Sequence, residues 1–291
     1  MRDISKEQIE EILESSNRIL DGEAVDLSGK ILGTLFFEHS TRTKLSFHSA
    51  AYRSKMNVID FQTEISSMKK GESFQDTIQM LSGYCDVLAI RHFKEGAPME
   101  AAQISNLPVI NAGDGTNQHP SQTMIDLFTI KHFKGRLKGI NATLMGDLRH
   151  ARAMKSLIAG LSLFGANITL CSPKGLEFDS EYLNQLSKSN KTKFNVISEP
   201  DLSETDVLYV CRIQKERFAD SALADSYEQK FKVDLKLLEK ANEDMIILHP
   251  LPRLNELDVS VDKTDFAKYF DQARFAPIVR QAVLKYVLEV N

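Results

Sequence analysis

A group of hydroxyl side chains and an arginine follows the first apolar run of this sequence. The run Ile31–Phe37 has the composition of a buried strand, and Ser40-Thr41-Arg42-Thr43 comes just after it, where a helical pattern begins. Backbone N–H groups at a helix start, the positive end of the helix dipole and a guanidinium would together bind an anion. An ordinary N-terminal cap beside a solvated arginine would use the same residues. This segment alone leaves an anion site and a simple cap as alternatives.

Cations, amides or rigid turns also follow the later apolar runs. In the first half of the chain they are Arg91, His119 and Gln122. In the second half they are Arg149, Arg152, Arg212, Gln214 and the segment Pro250-Leu251-Pro252-Arg253. Each is compatible by itself with a solvated side chain, a helix cap or a simple turn. Because the carboxyl ends of parallel strands lie at one edge of a sheet, we expect them to converge there on a ligand with several negative charges.

Short β-rich runs alternate with helical patterns, which favours parallel strands joined by helical crossovers. The predicted strands are Ile31–Phe37, Val87–Arg91, Val109–Asn111, Ala142–Met145, Ile168–Cys171, Phe194–Ile197, Val207–Cys211 and Met245–His249. One helix is predicted near the N-terminus, where Ser5 and Gln8 have the spacing of a capping box. Further helices are predicted from about Thr41, at Pro120 and over 278–288. The predicted fold class is therefore α/β, with two parallel-sheet domains.

The length of the chain favours two domains. A chain of 291 residues with 42% hydrophobic content exceeds the size at which one core usually divides. The basic, glycine-containing stretch Lys131–Gly139 is the predicted junction, which gives domains at 1–134 and 135–275. We expect the closing helix, 276–291, to complete the first domain.

Charge and composition exclude several functional classes. A net charge of −4 provides no global field that would attract nucleic acid or a membrane surface, and no apolar stretch approaches ~18 residues. Cys85, Cys171 and Cys211 form no CxxC pair and lie in or beside apolar runs, which indicates reduced core residues of a cytoplasmic protein. The sequence lacks GxGxxG after a strand, GxxxxGK(S/T), GxSxG and Cys/His metal spacing, so nucleotide, zinc and acyl-serine chemistry are poorly supported.

Five longer segments match the pattern of a known family. They are GTLFFEHSTRTKLSFHSA at 33–50, SSMKKGES at 66–73, NAGDGTNQHPSQTMIDLFTI at 111–130, CRIQKER at 211–217 and ILHPLPR at 247–253. Together, in order and with similar spacing over most of the chain, they resemble the aspartate/ornithine carbamoyltransferases. The resemblance implies two Rossmann-like parallel-sheet domains with helices on both faces, linked by interdomain helices, and an enzyme that needs no cofactor.

The resemblance also implies roles for residues that match the family's motifs. The residues that would hold the phosphate of carbamoyl phosphate are Ser40, Thr41, Arg42, Thr43, Ser66 and Arg91. Thr43, Arg91 and His119 would donate to the carbamoyl oxygen, where negative charge develops as the amine attacks. Preorganised donors of this kind are worth ~3 kcal/mol each, so neither a metal nor a covalent intermediate is required.

The remaining implied roles concern the carbamoyl amide and the acceptor. Gln122 and the backbone carbonyls of Leu251 and Pro252 would orient the amide. The residues that would bind aspartate are Lys70, Arg152, Arg212 and Gln214. Because the family forms trimers with sites between subunits, Ser66 and Lys70 would enter the site from a neighbouring chain. The resemblance further implies a role in pyrimidine biosynthesis, and separate regulatory or dihydroorotase chains as partners of the homotrimer.

Aspartate is the acceptor that the sequence favours. Ornithine carbamoyltransferases typically have Cys where Pro250 stands and a Ser-Met-Gly loop, which is absent between Arg212 and Lys240. Arg152 and Arg212 suit the two carboxylates of aspartate better than the single carboxylate of ornithine. A non-catalytic family member that serves as an assembly partner would have lost the phosphate residues, which are intact here. A Rossmann-type oxidoreductase is opposed by the missing glycine fingerprint.

Overall fold

The structure, a computed structural model, describes residues 1, 3–62, 66–213 and 221–289, with the backbone alone at 221–224. The chain divides into two compact units. The N-terminal unit comprises Asp3–Ile125 and Arg274–Asn291, and the central unit comprises Asp126–Ala273 with Met1. Each unit contains one parallel sheet with helices, which confirms the predicted α/β class with two parallel-sheet domains.

The N-terminal unit begins with helix α1 (Lys6–Leu20), whose capping box between Ser5 and Gln8 forms as predicted. Its strands are β1 (Ile31–Phe36), β2 (Asn57–Phe61), β3 (Val87–His92) and β4 (Val109–Asp114), paired in parallel in the order β2-β1-β3-β4. Its connecting helices are α2 (Thr41–Arg53), α3 (Phe74–Ser82) and α4 (Ala97–Ile104), and α5 (Pro120–Lys134) follows β4.

Strands β1 and β3 are neighbours in the middle of this sheet, and both are almost continuously buried, as is usual for parallel strands covered on both faces. Gly33 leaves room for two neighbouring side chains, because a Cβ atom there would lie 2.7 Å from Leu88 Cδ2 and 2.8 Å from Cys85 Sγ. The register pairs Phe36 with Arg91, so the carboxyl ends of the two strands are level.

The central unit has a five-stranded parallel sheet of order β7-β6-β5-β8-β9. Its strands are β5 (Asn141–Met145), β6 (Asn167–Cys171), β7 (Phe194–Ile197), β8 (Val207–Val210) and β9 (Ile246–Leu248). Its helices are α6 (Arg152–Leu163), α7 (Ser180–Asn190), α8 (Ser221–Lys230) and α9 (Leu235–Leu238). The last helix, α10 (Tyr269–Glu289), begins in the central unit, and its residues from Arg274 belong to the N-terminal unit.

The three cysteines are buried and free, as predicted. Burial raises the pKa of Cys85 to about 11 and that of Cys171 to about 12, so both thiols stay protonated and behave as small apolar groups. Among the residues that the structure describes, no helix combines the length and the apolar character needed to cross a bilayer.

Strand β2 was not predicted from the sequence. It lies at the edge of its sheet, and its residues Asn57 and Asp60 interrupt the apolar pattern, which leaves a weak strand signal. The predicted strand Val109–Asn111 continues to Asp114 through a glycine, a residue that usually marks a turn. Each of the other predicted strands differs from the observed strand by at most one residue at either end.

The two elements predicted nearest the C-terminus differ in extent from the observed ones. The predicted strand Met245–His249 is limited to Ile246–Leu248, because the N–H of His249 donates to the Gln272 side chain, at 2.9 Å, and not to a neighbouring strand. The closing helix begins at Tyr269, well before the predicted 278–288, and continues through Pro277.

Candidate active site

Ser40 lies at the N-cap position of α2, directly after the carboxyl end of β1. Its backbone is extended, with φ −158°, but its hydroxyl makes no capping hydrogen bond to the helix within the described residues. A capping serine would normally satisfy one of the helix's first N–H groups. Arg42 is exposed on the first turn, whereas Thr43 is buried. The simple cap considered from the sequence is therefore not formed, and the role of Ser40 and Arg42 as anion ligands stays a prediction.

Arg91 lies at the same end of the sheet. Its carbonyl accepts a hydrogen bond of 2.8 Å from the N–H of Phe37, and its half-buried side chain forms an ion pair with Glu38, with 3.3 Å between Nε and Oε2. The structure thus brings Arg91 beside the chain that leads from β1 to Ser40. Its role as an anion ligand stays a prediction.

A buried carboxylate organises the loop that follows β4. Asp114, 1% exposed, accepts hydrogen bonds from Gly96 N at 2.8 Å, Asn117 Nδ2 at 2.9 Å, Asn111 Nδ2 at 3.0 Å and Gln118 N at 3.0 Å. Charge-assisted bonds of this kind offset the cost of burying the carboxylate. The loop therefore has one fixed path towards α5.

His119 and Gln122 follow this loop at the start of α5. His119 is 7% exposed, its Nδ1 lies 3.4 Å from the Ser121 hydroxyl, and its carbonyl accepts a hydrogen bond of 3.0 Å from Gln122 N. Both residues thus lie in one helical turn that is fixed to the end of β4, and the imidazole is held in the protein and not in bulk solvent. Sequence reasoning identified both residues but not Asp114, which holds their loop.

In the central unit, Arg152 is the first residue of α6, and Arg212 follows β8. The strands before these two arginines are neighbours in the sheet. Gly146 has φ +123°, and a Cβ atom there would lie 2.1 Å from the carbonyl oxygen of Cys211, so only glycine allows the chain after β5 to pass the chain after β8. Gln214 lies outside the described residues.

Leu251 and Pro252 lie in the turn after β9 and are joined by a cis peptide bond. Leu251 has φ +53°, a left-handed conformation that is unusual for leucine. Its N–H donates to His249 Nδ1 at 2.8 Å, and His249 Nε2 lies 2.8 Å from Glu256 Oε1. The turn is therefore held by buried side chains that the sequence did not single out.

Ser66 and Lys70 belong to another part of the N-terminal unit. Ser66 precedes a short 3₁₀ turn, Ser67–Lys70, which Gly71 closes with φ +97°. Ser66 is half-buried, and Lys70 is exposed. Among the described residues, those of the central unit that were predicted to bind ligands are Arg152, Arg212, Leu251 and Pro252.

Family comparisons extend over both units. Residues 1–132 match the model of the aspartate/ornithine carbamoyltransferase carbamoyl-P binding domain, and residues 138–287 match that of the Asp/Orn binding domain. The chain belongs to the aspartate/ornithine carbamoyltransferase family.

Similar proteins within this carbamoyltransferase family cover nearly the whole chain. The catalytic subunit of aspartate carbamoyltransferase from Methanopyrus kandleri is 45% identical, over 99% of this chain and 96% of its own length. The solved catalytic subunit of M. jannaschii aspartate transcarbamoylase is 42% identical with a TM-score of 0.92, over 100% of this chain and 97% of that one. The Trypanosoma cruzi aspartate transcarbamoylase solved with carbamoyl phosphate and aspartate is 34% identical with a TM-score of 0.90, over 98% and 94% of the two chains.

Arg280 is a further buried cation of this carbamoyltransferase that sequence reasoning missed. It is 1% exposed, its Nη1 donates to the carbonyl of Thr43 at 3.2 Å, and its guanidinium lies 4.4 Å from the ring centre of Phe47. Burial and then the charge of Arg91 lower the pKa of Arg280 to about 9. Within the described residues it has no carboxylate partner. An arginine on the apolar stripe of the closing helix, between Ala276 and Leu284, was the available signal.

Proposed function

We propose that this chain transfers the carbamoyl group of carbamoyl phosphate to the amine of L-aspartate, which gives N-carbamoyl-L-aspartate and phosphate. The observation that carries the proposal is made at the carboxyl end of β1. There Ser40 precedes α2 without a side-chain capping bond, Arg42 lies on the first turn of the helix, and Arg91 lies at the level of the end of β1. Support comes from catalytic subunits of aspartate carbamoyltransferases at 44–45% identity and from a 34% identical relative solved with carbamoyl phosphate and aspartate.

In the proposed site, the phosphate of carbamoyl phosphate binds at the start of α2. Ser40, Thr41 and Thr43 donate to it through hydroxyl or backbone N–H groups, and Arg42 and Arg91 supply charge-assisted bonds. Ser66 adds a further donor. The positive end of the α2 dipole favours the same anion, so the chain needs no metal to hold it.

The carbamoyl oxygen receives negative charge as the amine attacks. Thr43, Arg91 and His119 donate to this oxygen, so His119 acts as a donor and not as a base. The new bond forms between the amine nitrogen and the carbamoyl carbon, and the bond from that carbon to the phosphate oxygen breaks with its electron pair leaving on phosphate. The departing phosphate takes up the proton that the amine releases. Fixed donors stabilise this transition state without reorganisation at the moment of reaction.

The second domain supplies the acceptor site in this proposal. Residues 135–275 bind aspartate, whereas residues 1–134, completed by 276–291, bind carbamoyl phosphate. Guanidinium groups pair well with carboxylates, and the residues of this domain that bind the two carboxylates of aspartate are Arg152, Arg212 and Gln214. Lys70 of a neighbouring chain adds to the aspartate site. The groups that orient the carbamoyl amide are Gln122 and the carbonyls of Leu251 and Pro252.

The proposed enzyme is a cytoplasmic homotrimer that serves pyrimidine biosynthesis. Ser66 and Lys70 of one chain complete the site of its neighbour, which a heterologous ring of three chains permits. Separate regulatory or dihydroorotase chains are the partners that this role implies.

An acceptor screen tests the function directly. Purified protein is incubated with carbamoyl phosphate and either L-aspartate or L-ornithine, and the carbamoylated product is identified by mass spectrometry. We expect carbamoyl-aspartate, and we expect N-(phosphonacetyl)-L-aspartate, the ligand of another solved relative, to inhibit its formation. Faster carbamoylation of ornithine would overturn the acceptor, and no carbamoylation of either amine would overturn the function.

A further inference from the structure

The turn after β9 is attached at two points to one buried pair of side chains. The N–H of Leu251 donates to His249 Nδ1 at 2.8 Å, and the N–H of Leu254 donates to both carboxylate oxygens of Glu256 at 3.1 Å. His249 Nε2 and Glu256 Oε1 are 2.8 Å apart, with side chains only 2% and 4% exposed. The two ends of the turn are thus held by one connected, water-excluded unit.

The hydrogen bonds define the protonation of this pair. A backbone N–H can only donate, so Nδ1 of His249 must be the acceptor, and the proton of the neutral ring lies on Nε2. Nε2 therefore donates to Glu256. Burial acts to raise the pKa of Glu256, but its hydrogen bonds from His249 and the backbone outweigh burial, and the pKa lies below its ordinary value. Glu256 is consequently a carboxylate that orients the ring, and the ring orients Leu251.

Leu251 needs this support. Its φ of +53° lies in a region that leucine rarely adopts, and such a conformation persists only where its surroundings determine it. Strained backbone of this kind is concentrated at functional sites. In the proposed reaction Leu251 and Pro252 act through their backbone carbonyls, so the strained position and the proposed functional position coincide.

The start of the turn is also anchored to the core of the central unit. The N–H of His249 donates to Gln272 Oε1 at 2.9 Å, and Gln272 Nε2 donates to Asp126 Oδ1 at 2.7 Å. The hydroxyl of Tyr209 donates to the other oxygen of Asp126 at 3.1 Å. His249 is therefore fixed at both its backbone and its ring, which makes it a rigid support for the turn.

We infer that His249 and Glu256 are positioning residues of the carbamoyl-transfer reaction. They direct the carbonyls of Leu251 and Pro252 at the carbamoyl amide, without touching the substrate themselves. The inference rests on the proposed function. The alternative is that the pair stabilises the fold and has no specific effect on the reaction.

The two possibilities differ in how they affect two related ligands. Inorganic phosphate shares the phosphate cradle with carbamoyl phosphate but has no carbamoyl amide. Loss of the His249–Glu256 support should therefore weaken the binding of carbamoyl phosphate and leave the affinity for phosphate unchanged. A misplacement of about 1 Å of a group that positions the substrate can lower the rate about a hundredfold. We therefore expect turnover to fall by ~10–100-fold when the carbonyls of Leu251 and Pro252 lose their support.

The experiment uses the full-length protein and the variants Glu256→Gln, Glu256→Ala, His249→Ala and His249→Asn. The oxygen of asparagine can occupy the place of Nδ1 and accept from Leu251, so His249→Asn should recover part of the activity that His249→Ala loses. Thr143→Val is the matched control, because it removes a buried 2.8 Å hydrogen bond to Thr205 in the same unit, away from the turn. It should lower the unfolding temperature and leave both affinities as in wild type.

Dissociation constants for carbamoyl phosphate and for phosphate, turnover and unfolding temperature are measured for every form that folds. Selective weakening of carbamoyl phosphate in Glu256→Gln, with partial rescue in His249→Asn, supports the inference. Parallel weakening of both ligands, or wild-type values for both, overturns it. If the alanine variants fail to fold, the near-isosteric variants Glu256→Gln and His249→Asn decide the outcome. A wild-type protein that carbamoylates neither amine would instead contradict the proposed function itself, and the inference with it.

Discussion

Arg280 Nη1 donates a 3.2 Å hydrogen bond to the backbone carbonyl of Thr43, which connects the last helix of the chain to the first turn of α2. Arg280 is buried, and the positive charge of Arg91 acts on it. Its guanidinium therefore raises the positive potential at the end of β1, and burying this charge costs free energy of folding. A cation in such a position destabilises the unliganded protein and favours an anion. Stability and anion affinity should therefore respond to it in opposite directions.

Replacing Arg280 by methionine should separate these two effects. We expect Arg280→Met to leave the unfolding temperature equal or higher, because a buried charge is replaced by an apolar side chain of similar length. Phosphate affinity should fall by about tenfold, or ~1.4 kcal/mol, as measured by titration calorimetry. The control is Lys285→Met on the same helix, which removes a partly exposed ion pair with Glu23. Phosphate affinity that is equal in both variants would contradict the prediction.

Arg42 should be required for activity but not for folding. Its exposed position on the first turn of α2 means that Arg42→Ala removes little packing. The loss of a charge-assisted partner of the phosphate, worth ~1.5–3 kcal/mol, should reduce kcat/KM by about tenfold to more than a hundredfold. Arg53→Ala, at an exposed position on the last turn of the same helix, is the control in the same assay. Near wild-type turnover of Arg42→Ala at saturating substrate would refute the phosphate-cradle role.

His92 should make the stability sensitive to acid. Its Nδ1 accepts from Lys94 N at 2.8 Å, and burial, then Lys94, lower its pKa from 6.5 despite the opposing effects of Glu38 and Glu100. A histidine with a lowered pKa in the folded state contributes fully above pH 6.5, and this contribution is lost as the pH falls below 6.5.

The measurement compares wild type with His92→Asn, which keeps an acceptor but does not titrate. Urea unfolding at pH 8 and pH 5 should show that wild type loses more free energy of unfolding than the variant between the two pH values. An equal loss in both proteins would show that His92 is not responsible.

Complementation between two variants of low activity tests the shared site. Lys70→Ala and Arg42→Ala should each retain only a small fraction of wild-type activity alone. In a mixed trimer, at least one interface combines an intact Arg42 of one chain with an intact Lys70 of its neighbour. Joint unfolding and refolding of the two variants should therefore restore a clear fraction of wild-type activity. No recovery in trimers shown to be mixed would mean that Lys70 acts within its own chain.

The parts of the fold that could be predicted are those with a local signal. A buried run such as Val207–Val210 and the Ser5–Gln8 capping box can each be recognised from a few neighbouring residues. The candidate site residues that follow the strands were predicted from the rule that ligands bind at the carboxyl ends of parallel strands. Asp114, Glu256 and Arg280 were not found, because their importance depends on partners that only the folded chain brings near. A polar residue in an apolar or loop pattern does not show what it will contact.

The N-terminal unit combines two stretches of sequence, Asp3–Ile125 and Arg274–Asn291, which lie on either side of Asp126–Ala273 along the chain. Protein synthesis adds only ~5–20 residues per second, so the first stretch leaves the ribosome well before α10 is made. Until then, the surfaces that α10 will cover with Val279 and Leu284, both fully buried at the end, have no partner from that helix. The segment that forms most of the central unit, by contrast, is continuous and can fold as soon as it emerges. The unit that is begun first on the ribosome is therefore the one that is finished last.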